Sequence, residues 1–418
     1  MRKLGALVVA GAALWLAPGA LAAGWCGSGE SATDRPDVTT GQQIHSIVVV
    51  PANGADNFPA TANKLADDVA SMAAWWTGQD PTRAPRFDQA VFPTGTCLDI
   101  SFVRLADPSG ALEGSSAAFQ RLGIDLVNAG FGSLYKRYLI YYDGPAVQTD
   151  VCGTGGGDFN NGPGFAVVWL AGCANVPTDG VATHELIHAL GALPTGAPNF
   201  CRPPATSSVD RGHPCDSTSD VLYPYSDGRP LQQLVLDVNH DDYYAHSGSW
   251  EDLQDSVWLS HLNAPQVPLA VDLAGTGKVT SDLPGLDCSA ACTTQWDQGT
   301  SVTLTATPGA HLRLVRWTGA CAGSSSCTVA LGEAKSVAAV FGPLAIPVKV
   351  TTTGRGAVRC TPVCSRTFAA GDPLTLRAVP AKGWKFAGWS GGGCKGKFPV
   401  CRPATQTSRT VRATFRRK

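Results

Sequence analysis

The chain has 418 residues, 44% of them hydrophobic and 16% charged, with a formal net charge of −1. That balance excludes a disordered polyelectrolyte, and 47 Gly with 29 Pro favour turns and short strands over a helical bundle. The near-zero charge hides an uneven distribution. Residues 24–266 carry 11 Lys+Arg against 27 Asp+Glu, residues 267–343 carry 4 against 5, and residues 344–418 carry 15 against one, Asp372.

The chain starts with Met1-Arg2-Lys3, an apolar run from Leu4 to Leu16, and Ala20-Leu21-Ala22. A basic start, a short apolar stretch and an A-x-A site predict a secretory signal peptide over residues 1–23. No other run approaches membrane-spanning length, so the expectation is a soluble, exported, monomeric protein, extracellular or periplasmic. All 14 Cys follow residue 23, and an even count in an exported chain predicts disulfides. Proximity suggests Cys152 with Cys173 and Cys201 with Cys215, leaving Cys26 with Cys97. The last eight Cys fall in a repeated spacing.

Residues 24–266 alternate strands and helices, as an α+β domain does. Ile47–Val50 reads as a buried strand, Thr61–Trp76 as an amphipathic helix and Leu98–Val103 as a strand. Ser116–Ala129 reads as a helix and Tyr138–Tyr142 as a strand. A Gly-rich loop over Gly153–Gly164 precedes the apolar strand Phe165–Leu170, and a helix covers about Gly180–Leu190.

That last helix contains His184-Glu185-Leu186-Ile187-His188. Residues four apart share a helix face, so His184 and His188 can clamp one ion. Glu185 stands beside them, where a carboxylate serves as general base without ligating the metal. This pattern predicts zinc and a hydrolytic reaction. Catalytic zinc needs a third protein ligand. His213, in Gly212-His213-Pro214-Cys215-Asp216, is the first choice, with Asp216 and His240 as alternatives. Asp237-Val238-Asn239-His240-Asp241-Asp242 spaces its oxygens like a calcium loop but lacks the Gly and distant Glu of an EF-hand. A solvated acidic turn is its first reading and calcium its second.

The C-terminal part repeats itself. Gly275–Val279 matches Gly354–Val358, Ser301–Ala306 matches Pro373–Ala378, Trp317-Thr318-Gly319 matches Trp389-Ser390-Gly391, and Val337–Phe341 matches Val411–Phe415. Alternating apolar and polar residues between Gly-rich turns predict two small β domains, at 267–343 and 344–418. Trp317 and Trp389 read as core, with glycan stacking as the alternative.

His184–Gly191, Gly212–Asp216, Asp220–Tyr223 and Leu236–Tyr244 together resemble secreted bacterial metzincin-like zinc proteases. The repeats resemble divergent internalin B-repeat modules. Leu222 stands where the protease family has the Met of a turn under the metal, and Pro194 where its usual third ligand falls. The resemblance implies an α+β zincin-like catalytic domain (24–266) followed by two small all-β repeat domains. It further implies a zinc metalloendopeptidase with His184, His188 and His213 on the metal, Glu185 as general base, and a protein or peptide substrate. Phe165–Leu170 is expected as the edge strand that pairs with substrate, and Tyr223 as a packing residue or an oxyanion partner. The alternatives are a catalytically silent zinc-domain adhesin and a hydrolase of cell-wall peptides. The basic repeat 344–418 is expected to bind an anionic cell-surface polymer or glycan, its rival partner being the acidic domain itself.

Overall fold

The computed structural model describes residues 24–418 apart from 28, 116, 149–150, 158, 160–161, 193–195, 202–211, 362–363, 365–366, 370, 372 and 406. The proposed signal peptide and Pro194 lie outside the described residues. No helix among the described residues is long and apolar enough to cross a membrane. The chain divides into two compact units that meet in sequence at Pro265 and Gln266.

The first unit runs β1 (Gln43–Val50), α1 (Phe58–Gln79), β2 (Arg83–Pro85), β3 (Gln89–Phe92), β4 (Gly95–Leu98) and β5 (Ile100–Arg104). It continues through α2 (Ala118–Asn128), β6 (Lys136–Tyr142), β7 (Gly153–Gly156), β8 (Gly164–Trp169), α3 (Thr178–Ala189) and β9 (Leu259–His261). Its main sheet has the order β5-β1-β6-β8-β7. The first four of these are parallel, and β7 runs antiparallel to β8 at the edge.

Side chains alternate across a strand, so each strand feeds two layers. Ile44, Val48 and Val50 of β1, with Leu139 and Tyr141 of β6, pack under α1 and α3. Ile47, Val49, Ile140, Tyr142 and Val167 face the opposite way, onto Leu122 and Leu126 of α2. A strand covered on both faces is a continuous apolar run in sequence, as Ile47–Val50 is.

Two expectations change here. The stretch from Gly153 is not a plain loop, because Gly153–Gly156 forms β7. Glycine disfavours strands, but here close approach demands it: a Cβ on Gly153 would overlap the Glu185 side chain, and one on Gly155 the Glu185 carbonyl. In consequence β8 is an interior strand between β6 and β7, and the edge is β7.

The second unit holds two β sandwiches. The first comprises β10 (Gln266–Ala274), β11 (Gly277–Ser281), β12 (Asp287–Cys288), β13 (Cys292–Asp297), β14 (Ser301–Pro308), β15 (Leu312–Gly319), β16 (Cys327–Ala330) and β17 (Lys335–Pro343), in sheets β13-β10-β17-β15 and β12-β11-β14-β16. The second comprises β18 (Ala345–Thr353), β19 (Gly356–Thr361), β20 (Thr367–Ala369), β21 (Thr375–Pro380), β22 (Trp384–Ser390), β23 (Val400–Cys401) and β24 (Arg409–Arg417). Its sheets are β20-β18-β24-β22 and β19-β21-β23. Trp317 and Trp389 are buried, and each indole N–H donates to a carbonyl in the loop that follows, Ser325 O at 2.7 Å and Phe398 O at 3.0 Å.

All 14 Cys pair: 26–97, 152–173, 201–215, 288–292, 321–327, 360–364 and 394–401. The three pairings expected in the first unit are among them. Cysteine-rich repeats of this size gain stability from such links because a small sandwich buries little apolar surface.

Candidate metal centre

Helix α3 sets the first two histidines. Asp179 stands in its first turn, where a negative charge suits the helix dipole. The helix stops at Gly191, whose φ of +107° is left-handed. Gly191 N–H donates to His188 O at 3.0 Å and Ala192 N–H to Ile187 O at 3.2 Å, the paired bonds of a glycine-terminated helix. This turn also brings the Ala192 carbonyl to His188 Nδ1, at 3.1 Å.

His213 arrives from a distant loop. Cys201 N–H donates to His213 O and Cys215 N–H to Asn199 O, both at 2.9 Å, and the Cys201–Cys215 disulfide closes this short ladder. His213 Nε2 then lies 3.0 Å from His184 Nε2 and 3.1 Å from His188 Nε2.

The proton inventory of these rings is short. A carbonyl only accepts, so the 2.7 Å contact with Val221 O puts the His184 proton on Nδ1, and Ala192 O does the same for His188. Both Nε2 atoms therefore present lone pairs to His213, which can offer one N–H at most to the two of them. Burial, then the neighbouring rings, holds His184 well below its ordinary value and takes His188 down to about 3, against the carbonyl bonds that favour protonation.

Three converging imidazole nitrogens, two oriented by main-chain carbonyls, form the donor set that zinc prefers. Zinc at 2.0–2.1 Å from tetrahedrally placed nitrogens spaces them by about 3.3 Å, close to the separations here. The residues fit the ion.

Glu185 is 7% exposed, and among the described residues no hydrogen bond holds its carboxylate. Burial pushes its carboxyl up to about 8. The turn Asp220–Tyr223 backs the site. Asp220 Oδ1 accepts from Leu222 N–H at 2.7 Å and from Tyr243 O–H at 2.9 Å, which holds the Val221 carbonyl at His184. Leu222 is wholly buried in the core, and Tyr223 is half-buried, its ring 6.2 Å from that of Tyr225.

The other ligand candidates go elsewhere. Asp216 joins Asp241 and Asp242, and His240 Nδ1 meets Tyr244 O at 3.2 Å. Asp237 is not part of an alternating-oxygen loop: its carboxylate accepts the N–H groups of Asp242, Tyr243 and Tyr244, the last two at 2.7 and 2.6 Å.

A second histidine cluster was not foreseen. His45 Nδ1 lies 2.8 Å from Asp88 Oδ2, and Lys136 Nζ bonds Asp34, Asp37 and Asp88 at 2.5–2.6 Å. Its only sequence signal is a Gln-Ile-His-Ser stretch inside an otherwise apolar strand.

No curated protein matches the chain. Residues 267–344 and 346–418 match the family model described as the Divergent InlB B-repeat domain, so the C-terminal region of the chain is built from two repeats of that type.

Proposed function

We propose that residues 24–266 form an exported zinc-dependent endopeptidase domain. The observation that carries this reading is the convergence of His184, His188 and His213 nitrogens beside a buried Glu185. Zinc, when bound, acts as a Lewis acid toward a peptide carbonyl and acidifies water. His184 and His188 supply neutral Nε2 donors because Val221 O and Ala192 O take their Nδ1 protons. Glu185 takes the proton of the attacking water on a carboxylate oxygen and returns it to the leaving amine nitrogen. β7 is the edge strand of the main sheet and packs directly on Glu185, so its backbone is placed to pair with an extended peptide. The seven disulfides suit an oxidising compartment.

The test is turnover of an unfolded protein substrate by the zinc-loaded chain. Glu185→Gln is expected to lower kcat by about 10²–10⁴ while zinc content stays unchanged. Turnover surviving that substitution removes the assigned mechanism. Zinc content of about one with no turnover of any peptide supports the silent adhesin instead.

A second reading concerns the basic repeat. Arg359 and Arg377 are exposed and directly opposed across β19 and β21, whereas the matching pair of the first repeat is Thr280 and Thr305. Like charges facing across a sheet destabilise it unless an anion lies between them. Residues 344–418 thus act as an anchor for an anionic surface polymer. Salt-sensitive retention of the full chain on a sulfated polysaccharide should fall when Arg359 and Arg377 are both replaced by Thr; unchanged retention rejects the anchor at this pair.

A further inference from the structure

Three residues beyond His213, a group of carboxylates converges, and among the described residues no cation pairs with it. Asp216, Asp241 and Asp242 each bring an oxygen within 4.8 Å of the others. Asp216 is exposed, while Asp242 is 0% exposed. Asp242 Oδ1 accepts from Asn199 N–H at 2.8 Å, but Oδ2 is buried with no hydrogen-bond partner. Asp241 repeats the pattern. Its Oδ2 takes Asn199 Nδ2 at 3.3 Å and its buried Oδ1 takes nothing. The ion pairs among the described residues include none of the three.

Neighbouring carboxylates are treated differently by the same fold. Asp237 receives three main-chain N–H groups. Asp220 receives Leu222 N–H, Val238 N–H and Tyr243 O–H. Asp252 receives those of Ala245, His246 and Gln254. Donors are therefore plentiful in this region, yet among the described residues one buried oxygen each of Asp241 and Asp242 has none. A buried carboxylate oxygen without a donor is strongly disfavoured unless a cation supplies the missing charge. Burial pushes the Asp242 carboxyl above its ordinary range against the Asn199 bonds, and the Asp241 and Asp216 charges push the same way as burial.

We infer that Asp216, Asp241 and Asp242 hold a structural calcium ion. The donors are all carboxylate oxygens, which select a hard cation over zinc. Calcium tolerates irregular geometry with six to eight oxygens, the remainder coming from water. Magnesium demands a near-ideal octahedron at a shorter distance and gives up its waters reluctantly, so an irregular set of carboxylates favours calcium. The ion cross-links two loops. Asp216 directly follows Cys215, whose disulfide to Cys201 closes the loop that carries His213. Asp241 and Asp242 lie on the loop fixed to the Asp220 turn through Tyr243, the turn whose Val221 carbonyl orients His184. The inference does not rest on the zinc reading, since it concerns separate residues and a separate ion.

The test uses the full chain, freed of divalent ions by chelation, with calcium chloride alone as probe. Calorimetry should find about one calcium per chain. Calcium at about a hundred times its Kd should raise the unfolding midpoint by about 5–10 °C. Equal magnesium should leave it nearly unmoved. Asp216→Asn, an exposed change that the fold tolerates, should weaken calcium binding at least about tenfold, and Asp242→Asn should abolish it. Terbium adds a direct readout, because Trp250 Nε1 donates to Asp242 O at 2.7 Å and its indole is placed to sensitise a lanthanide at this site. Terbium emission excited through tryptophan should appear and be displaced by calcium. The inference is overturned if calcium does not bind, if Asp216→Asn binds it as tightly as the parent chain, or if magnesium gives the same stabilisation.

Discussion

Two histidine clusters lie in the same domain, and they differ in whether their partners are already present. Around His45, every carboxylate has a cation beside it: Lys136 serves Asp34, Asp37 and Asp88, and Arg35 serves Asp99. His45 itself is spanned by Asp88 on one nitrogen and Ser101 Oγ, 3.0 Å away, on the other. Around His184, three nitrogens face one another, and the fold supplies a carbonyl to Nδ1 of His184 and of His188. Convergence of metal-type side chains does not by itself mark a metal site. What marks it is donors that the fold orients and then leaves for a ligand.

The largest effect that can break this contrast is on metal retention. His213→Ala should cost more zinc affinity than the ten- to hundredfold typical of a lost supporting hydrogen bond, because it removes a ligand itself. Metal analysis after dialysis checks this, and wild-type zinc content would show that the histidine trio does not hold the ion. Next comes Lys136→Met, which leaves Asp34, Asp37 and Asp88 around an apolar side chain where a 3% exposed ammonium stood. Breaking a buried charge group by removing one partner costs about 3–5 kcal/mol. Urea unfolding should show that loss with zinc content per folded chain unchanged; a loss of zinc without a loss of stability would exchange the roles of the two clusters.

The smallest expected effect is on pH dependence at His45. Burial lowers its affinity for a proton, but the Asp88 hydrogen bond and the Asp34 and Asp88 charges overcome this and raise it above the ordinary 6.5. A histidine raised on folding contributes its full stabilisation below about pH 6.5, and that contribution fades as pH rises through the folded-state value. Parent chain and His45→Asn should therefore differ most in unfolding midpoint near pH 6 and less near pH 9. A difference that grows with pH would mean that His45 is held neutral.

Much of the fold was legible because its signals are local. Ile47–Val50 reads as a buried strand since both its faces are covered, and the internal matches between the two repeats give two similar sandwiches. Four-residue spacing alone puts His184 and His188 on one face. β7 was not legible: Gly153-Thr154-Gly155-Gly156 looks like a loop until α3 is seen against it, and only then does the absence of side chains have a reason. That missed strand also displaced the edge from β8. The network of Asp34, His45, Asp88 and Lys136 was equally hidden, because its members are scattered over residues 34–136 and none forms a motif.

Sequence by itself determined the period of strands such as Ile47–Val50, the repeated modules, the uneven charge and the pairing of two metal-type side chains on one helix. Tertiary structure alone decided that His213 rather than Asp216 or His240 meets that helix. It also decided that Asp237 is bonded within its own loop, and that one buried oxygen each of Asp241 and Asp242 meets no donor among the described residues. The physical reason is the same in each case. Whether a polar group is satisfied depends on which groups reach it in space, whether from its own loop, as for Asp237, or from a segment tens of residues away, as for His184.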